Sequence, residues 1–176
     1  MKKSAPNNDV IKLDVLIIGA GFSGLYQLLS LRDKLGLSTK IVEAGDGVGG
    51  TWYWNRYPGA RCDSESYSYA FYFDKELLEE WQWSERYPGQ AEVVRYLNYV
   101  ADKFDLKRDI KFNSRVLSAH YNQSRNKWII KTELEQQFEC TYLITAVGCL
   151  SSTNVPKFQG QDSFEGDWYH TGRWPL

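Results

Sequence analysis

The segment "LDVLIIGAGFSGLYQLLSLRDKLG" (13–36) leaves a chain few ways to fold. Residues 13–18 are a continuous apolar, β-rich run, the composition of a strand covered on both faces. Gly19, Gly21 and Gly24 follow as G-x-G-x-x-G, just where the pattern changes period. Leu25, Leu28, Leu29 and Leu35 then recur at helical spacing, and Gly36 stands where a helix should stop. "TKIVEA" (39–44) reads as a second strand. Strand, glycine turn, helix and strand make one βαβ unit.

The spacing has a chemical reason. Gly19 suits the tight turn, Gly21 lets a pyrophosphate approach the backbone, and Gly24 lets helix and strand pack closely. The phosphates would lie on free N–H groups of the turn, those of Phe22 and Ser23 among them, at the positive end of the helix dipole. Glu43 closes the second strand, nineteen residues after Gly24, where a carboxylate can take hydrogen bonds from a ribose diol. A 2′-phosphate there would meet a like charge, so this site favours FAD or NAD over NADP.

The rest of the chain fits one domain around that unit. Residues 45–70 read as a long ordered loop broken by Gly45, Gly47, Gly49, Gly50, Pro58 and Gly59, and loops of this length are usually functional. Helices are expected over 75–83 and 90–104, and strands over 110–112, 115–121, 127–134 and 140–148, with 115–134 forming a hairpin. The expected fold is α/β: a Rossmann-like domain with a parallel central sheet and an antiparallel hairpin or meander, truncated. Residues 1–12 are expected to be a flexible tail, 13–150 the dinucleotide-binding domain, and 151–176 a linker without clear period.

A net charge of −1 with no basic run offers nothing to nucleic acid or an anionic membrane. No stretch approaches the ~20 apolar residues of a membrane span, and the N-terminus lacks a signal-peptide pattern, so a cytoplasmic protein is expected. Cys62, Cys140 and Cys149 are odd in number and show neither disulfide nor zinc spacing, so no metal is expected. The aromatic content is high, 15% with seven Trp, which means a heavy core or flat walls for a planar ligand. Thr51, Trp52, Trp54, Tyr57 and Tyr69 crowd the loop after the ribose acid, a detour that suits a tricyclic flavin better than a simple NAD half-site.

Three blocks carry a resemblance to the type I Baeyer–Villiger monooxygenases, close to the cyclohexanone monooxygenase group. "GAGFSG" (19–24) matches the family's first glycine turn. "GGTWYWNRYPGARCD" (49–63) matches G-x-W-x-x-x-x-[FY]-P-G-x-x-x-D through Gly50, Trp52, Tyr57, Pro58, Gly59 and Asp63. "FEGDWYHTGRWP" (164–175) matches F-x-G-x-x-x-H-x-x-x-W-P at Phe164, Gly166, His170, Trp174 and Pro175. "TAVG" (145–148) resembles the strand end that such flavoproteins carry near FAD, which places Ala146 and Gly148 there.

The resemblance implies an FAD- and NADPH-dependent enzyme that inserts one oxygen atom of O2 beside a ketone. By it, Thr51, Trp52, Tyr53, Trp54 and Tyr69 contact the flavin, and Val116 meets the adenine. Arg61 and Cys62 touch the nicotinamide. Asp63 is the catalytic candidate: an acid that orients and partly neutralises an arginine beside the flavin. His170 is implied to be structural. The chain would be the N-terminal part of such a protein, lacking the second glycine turn for NADPH and the arginine that Asp63 serves. The alternatives are a non-catalytic FAD-binding remnant and a flavin monooxygenase that oxidises nitrogen or sulfur. A disulfide reductase lacks support, because its C-x4-C pair is missing. The ketone and the oligomeric state are not legible.

Overall fold

A computed structural model describes residues 10–175. Six strands lie in one sheet: β1 (Ile11–Ile18), β2 (Thr39–Val42), β3 (Ile110–Lys111), β4 (Val116–Asn122), β5 (Lys127–Thr132) and β6 (Gln137–Thr145). Their spatial order is β3-β2-β1-β6-β5-β4. The strands β3, β2, β1 and β6 run parallel, and β6, β5 and β4 form an antiparallel meander. The expected fold class is therefore the observed one.

Alternation along β1 divides the apolar residues between the two faces. Val15 and Ile17 join Ile41 and the helices in the larger core. Leu16 points the other way, to Val42, Ile130, Phe138 and Cys140. The helix α1 (Phe22–Leu29) runs on into a π-helical turn, Ser30–Lys34, and Gly36 at φ +65° ends the excursion as expected. After the short α2 (Thr51–Trp54) and α3 (Lys75–Glu80), α4 (Gln90–Lys103) buries Val93, Tyr96, Leu97, Val100 and Ala101 along one stripe. Each large side chain so buried contributes roughly 1.5–3 kcal/mol.

Several boundaries differ from the sequence reading. The first strand begins at Ile11, inside the expected tail, because Ile11 pairs with Phe138 of a β6 that itself starts at Gln137. Residues 1–9 of that tail lie outside the described residues. The expected loop over 45–70 contains α2. The helix expected over 75–83 stops at Glu80: Trp81 takes extended backbone, and the Trp81 and Trp83 rings pack on Tyr96 with centroids 5.2 and 4.9 Å away. The last strand ends at Thr145, which leaves Ala146 and Gly148 in the turn beyond it.

Gly24 fixes how α1 meets β1, since a Cβ there would lie 1.9 Å from the Gly19 carbonyl oxygen. Gly89 precedes α4 at an ordinary φ of −71° with nothing within 4 Å of a would-be Cβ. Gly24→Ala is expected to lower stability by about 1–3 kcal/mol or more, and Gly89→Ala by far less. Urea unfolding midpoints check the difference.

Candidate functional site

The parallel strands finish in register. Ile18 pairs with Val42 on one side and Thr145 on the other, so Gly19, Glu43 and Ala146 emerge side by side at the carboxyl edge. This edge is where open α/β sheets form their ligand crevice. Backbone bonds hold the row: Gly19 N–H donates to Val42 C=O at 2.9 Å, and Ala146 N–H to Ile18 C=O at 2.9 Å. Gly19 must be glycine twice over. Its φ is +106°, and a Cβ would stand 2.6 Å from the Ala146 carbonyl oxygen.

Gly21 faces no packed side chain. The only atoms within 4 Å of a would-be Cβ belong to the backbone of Gly50. Gly50, at φ +54°, would reciprocally put its Cβ 2.9 Å from Gly21 Cα. The Gly49–Gly50 turn thus lies against the first glycine turn, tied by Gly49 N–H to Ala20 C=O at 3.0 Å. The first helical bond of α1 is Leu25 N–H to Gly21 C=O, which leaves the Phe22, Ser23 and Gly24 amides at its leading end. No side chain caps that end and no acid stands in its first turn. Such an end attracts an anion through its amides and its dipole.

Glu43 is buried and aimed at this turn. Its Oε2 accepts from Ala20 N–H at 2.7 Å and its Oε1 from Gly45 N–H at 2.8 Å. Val116, expected near an adenine, opens β4 at a register shift. The stretch leading to it runs beside the end of β2, with Ser114 N–H on Glu43 C=O at 2.8 Å and Asn113 N–H on Gly45 C=O at 2.9 Å.

The aromatic loop separates into two sets. Trp52 and Tyr69 are half-buried and coupled, indole N–H to phenol oxygen at 3.0 Å and rings edge-on at 5.9 Å. Burial pushes the Tyr69 hydroxyl above the usual tyrosine range, and the indole N–H partly offsets this by favouring the phenolate. Phe22 packs its ring on Tyr69 and Phe71 at 4.9 and 5.0 Å, so only its backbone can serve a ligand at the turn. Tyr53 and Trp54 form the other set. The Tyr53 ring fills the space left by Gly45 and Gly47, its backbone and Cβ close on Gly49, and its hydroxyl donates to Asp46 at 2.6 Å. Trp54 packs edge-on against Tyr53 at 4.8 Å. Thr51 holds Asn55, whose Nδ2 donates to the Thr51 carbonyl and hydroxyl oxygens.

Farther along the loop, Asp63 is exposed, and its carboxylate takes only a long 3.5 Å hydrogen bond from the Ser64 hydroxyl. Arg61 spends its guanidinium on Glu85 and the Tyr87 carbonyl. Cys62 is buried, its N–H donating to Pro88 C=O at 2.9 Å. Sequence reasoning missed Gln90. Its side chain donates to the Trp52 carbonyl and its backbone N–H to Ala60 C=O at 2.9 Å, tying both arms of the loop to the start of α4. The only signal was its place after Pro88-Gly89, a usual helix entry. The His170 ring is held within its own segment: Nδ1 accepts from Gly172 N–H at 3.0 Å and Nε2 faces Asn154 C=O at 3.3 Å. Among the described residues there is no metal-binding cluster, and no helix is long and apolar enough to cross a membrane.

Residues 16–174 match the family model described as pyridine nucleotide-disulphide oxidoreductase. The chain belongs to that family. In these 176 residues Cys62, Cys140 and Cys149 are free and none stands at the C-x4-C spacing of a redox-active pair. It is 49% identical over 162 residues to a Baeyer–Villiger monooxygenase of Pseudooceanicola batsensis, covering 92% of this chain and 30% of that protein. It is 43% identical over 169 residues to a phenazine N-monooxygenase of Lysobacter antibioticus, covering 96% and 31%. A closed crystal structure of cyclohexanone monooxygenase superposes with a TM-score of 0.90 at 45% identity, over 95% of this chain and 32% of that one. The chain therefore spans about a third of the length of the relatives it matches.

Trp52→Phe removes the indole donor while keeping an aromatic ring. The phenolate of Tyr69 then loses a favourable partner, so its titration is expected to move further upward. Ultraviolet difference titration of Trp52→Phe with and without Tyr69→Phe isolates this one tyrosine.

Proposed function

We propose that this chain is the FAD-binding part of a Baeyer–Villiger monooxygenase, in which NADPH supplies electrons and one atom of O2 enters beside a ketone carbonyl. The overall change is ketone, O2, NADPH and a proton to ester or lactone, water and NADP+. One observation carries the reading: Gly19, Glu43 and Ala146 stand in a row before an uncapped helix end whose Gly21 meets only backbone. The likeness to a Baeyer–Villiger monooxygenase at 49% identity over 92% of the chain supports the chemistry.

The residues fit a flavin dinucleotide. The amides of Phe22, Ser23 and Gly24 would hold the pyrophosphate, Glu43 would take the ribose, and Trp52 and Tyr69 would wall the ring system. FAD, when bound, supplies the activation of oxygen that no side chain can. The protein's share is to bind, orient and keep water out. Asp63 would hold the charge of an arginine from beyond this chain. Residues 151–176 would lead toward an NADP-binding domain. Free thiols at Cys62, Cys140 and Cys149 suit a reducing compartment, and we place the protein in the cytoplasm.

The phenazine N-monooxygenase supports a second reading, oxidation of a nitrogen heterocycle on the same flavin scaffold. The loop "TWYWNRYPGARCD" is the observation that favours the ketone.

The 176 residues alone are expected to show no ketone-dependent NADPH consumption. The whole protein is expected to hold a yellow flavin and form an ester or lactone; an N-oxide from a heteroaromatic substrate, with no ester from any ketone, would favour the second reading. Product analysis by mass spectrometry distinguishes them. In the whole protein, Asp63→Ala is expected to lower kcat by roughly a hundredfold or more while flavin retention, read from the visible spectrum, stays near wild type.

A further inference from the structure

A buried acid that served a sugar alone would keep its oxygens for the sugar. Both oxygens of Glu43 are instead held by the chain's own backbone, Oε2 by Ala20 N–H at 2.7 Å and Oε1 by Gly45 N–H at 2.8 Å. The residue is 5% exposed. Its main chain is fixed on both sides as well, Glu43 N–H to Lys111 C=O at 2.9 Å and Ser114 N–H to Glu43 C=O at 2.8 Å. Ala20 lies between the first two glycines of the turn, and its own carbonyl takes Gly49 N–H at 3.0 Å. One connected set of bonds therefore runs from the Glu43 carboxylate through Ala20 to the Gly49–Gly50 turn.

We propose that Glu43 is a positioning residue. Its carboxylate locks the first glycine turn, and through Ala20 the Gly49–Gly50 turn, in the geometry that presents the open amides of α1, independently of any contact with a sugar hydroxyl. The proposal rests on the flavin-nucleotide reading for its consequence, though not for its geometry. Hydrogen bonds to a charged acceptor are the strong ones, and leaving a buried partner unsatisfied costs more than the bond itself returns. A carboxylate offers about four lone-pair sites, so two amides and a diol can share it. Glutamine cannot do the same. Its NH2 would face one of the two N–H groups and leave that donor buried without an acceptor.

The test separates the two roles by removing the sugar's hydroxyls instead of the acid's. The whole protein, stripped of flavin, is titrated with FAD and with its 2′,3′-dideoxyadenosine analogue, following quenching of flavin fluorescence. Positioning predicts that Glu43→Gln weakens both ligands by a similar factor, tenfold or more, and that amide hydrogen exchange at Ala20 and Gly45 accelerates in the stripped protein. An analogue affinity unchanged by Glu43→Gln, or exchange at both amides equal to wild type, overturns the proposal. Should Glu43→Gln fail to fold, Glu43→Asp, one methylene too short to reach both amides, is compared in the same way. If the wild-type protein takes up no flavin, the functional reading fails, and the exchange comparison alone decides the positioning role.

Discussion

The contact on which the architecture turns is the approach of α1 to β1 at Gly24. No heavy atom beyond Cα fits there, because the Gly19 carbonyl oxygen occupies the place a methyl group would take. That contact sets where the helix begins, and so where its amides point. It also leaves Gly19 in a positive-φ conformation against Ala146, which ties the first strand's end to that of β6. Everything at the carboxyl edge follows from three strand ends held at backbone distance.

A second layer of closeness is built on the first. Gly21 and Gly50 approach each other so tightly that neither could carry a side chain without moving the other. The long loop is therefore not draped over the turn but fitted to it. Tyr53 completes the fit from outside, filling the room that Gly45, Gly47 and Gly49 leave and hydrogen-bonding Asp46. This explains why the loop is both glycine-rich and aromatic. Glycines let the backbone come close, and a large flat ring then excludes water from behind it.

Much of this was legible in the sequence, for reasons that differ by residue. The glycines and Glu43 announce themselves because period, spacing and backbone chemistry coincide over thirty residues, and the structure sets them together. The helix over α4 was readable from Val93, Leu97 and Val100, since burial of one stripe is what holds such a helix. The end of α3 was not. Nothing local marks Glu80 as a stop; the helix yields there to the pull of Trp81 and Trp83 into the cluster around Tyr96, a tertiary effect. The roles of Tyr53 and Gln90 were equally hidden, because a motif gives positions and not directions. Trp52, Tyr53, Trp54 and Tyr69 look alike in sequence. Only packing shows that Trp52 and Tyr69 pair with each other while Tyr53 and Trp54 brace the turn.

The electrostatics of Asp63 show what the site requires of its surroundings. The carboxylate is exposed, and its neighbour Arg61 is committed to Glu85 and Tyr87. In water, two unit charges 4 Å apart interact by only about 1 kcal/mol, against several times that at a partly dry site. An acid in the position of Asp63 can therefore steady a neighbouring charge only where other protein displaces the solvent around it. The glycine cradle has no such need, since Glu43 and the strand ends make it from one continuous set of short contacts to backbone amides. The geometry of the cradle is thus complete within these residues, whereas the surroundings that would give Asp63 electrostatic weight are not.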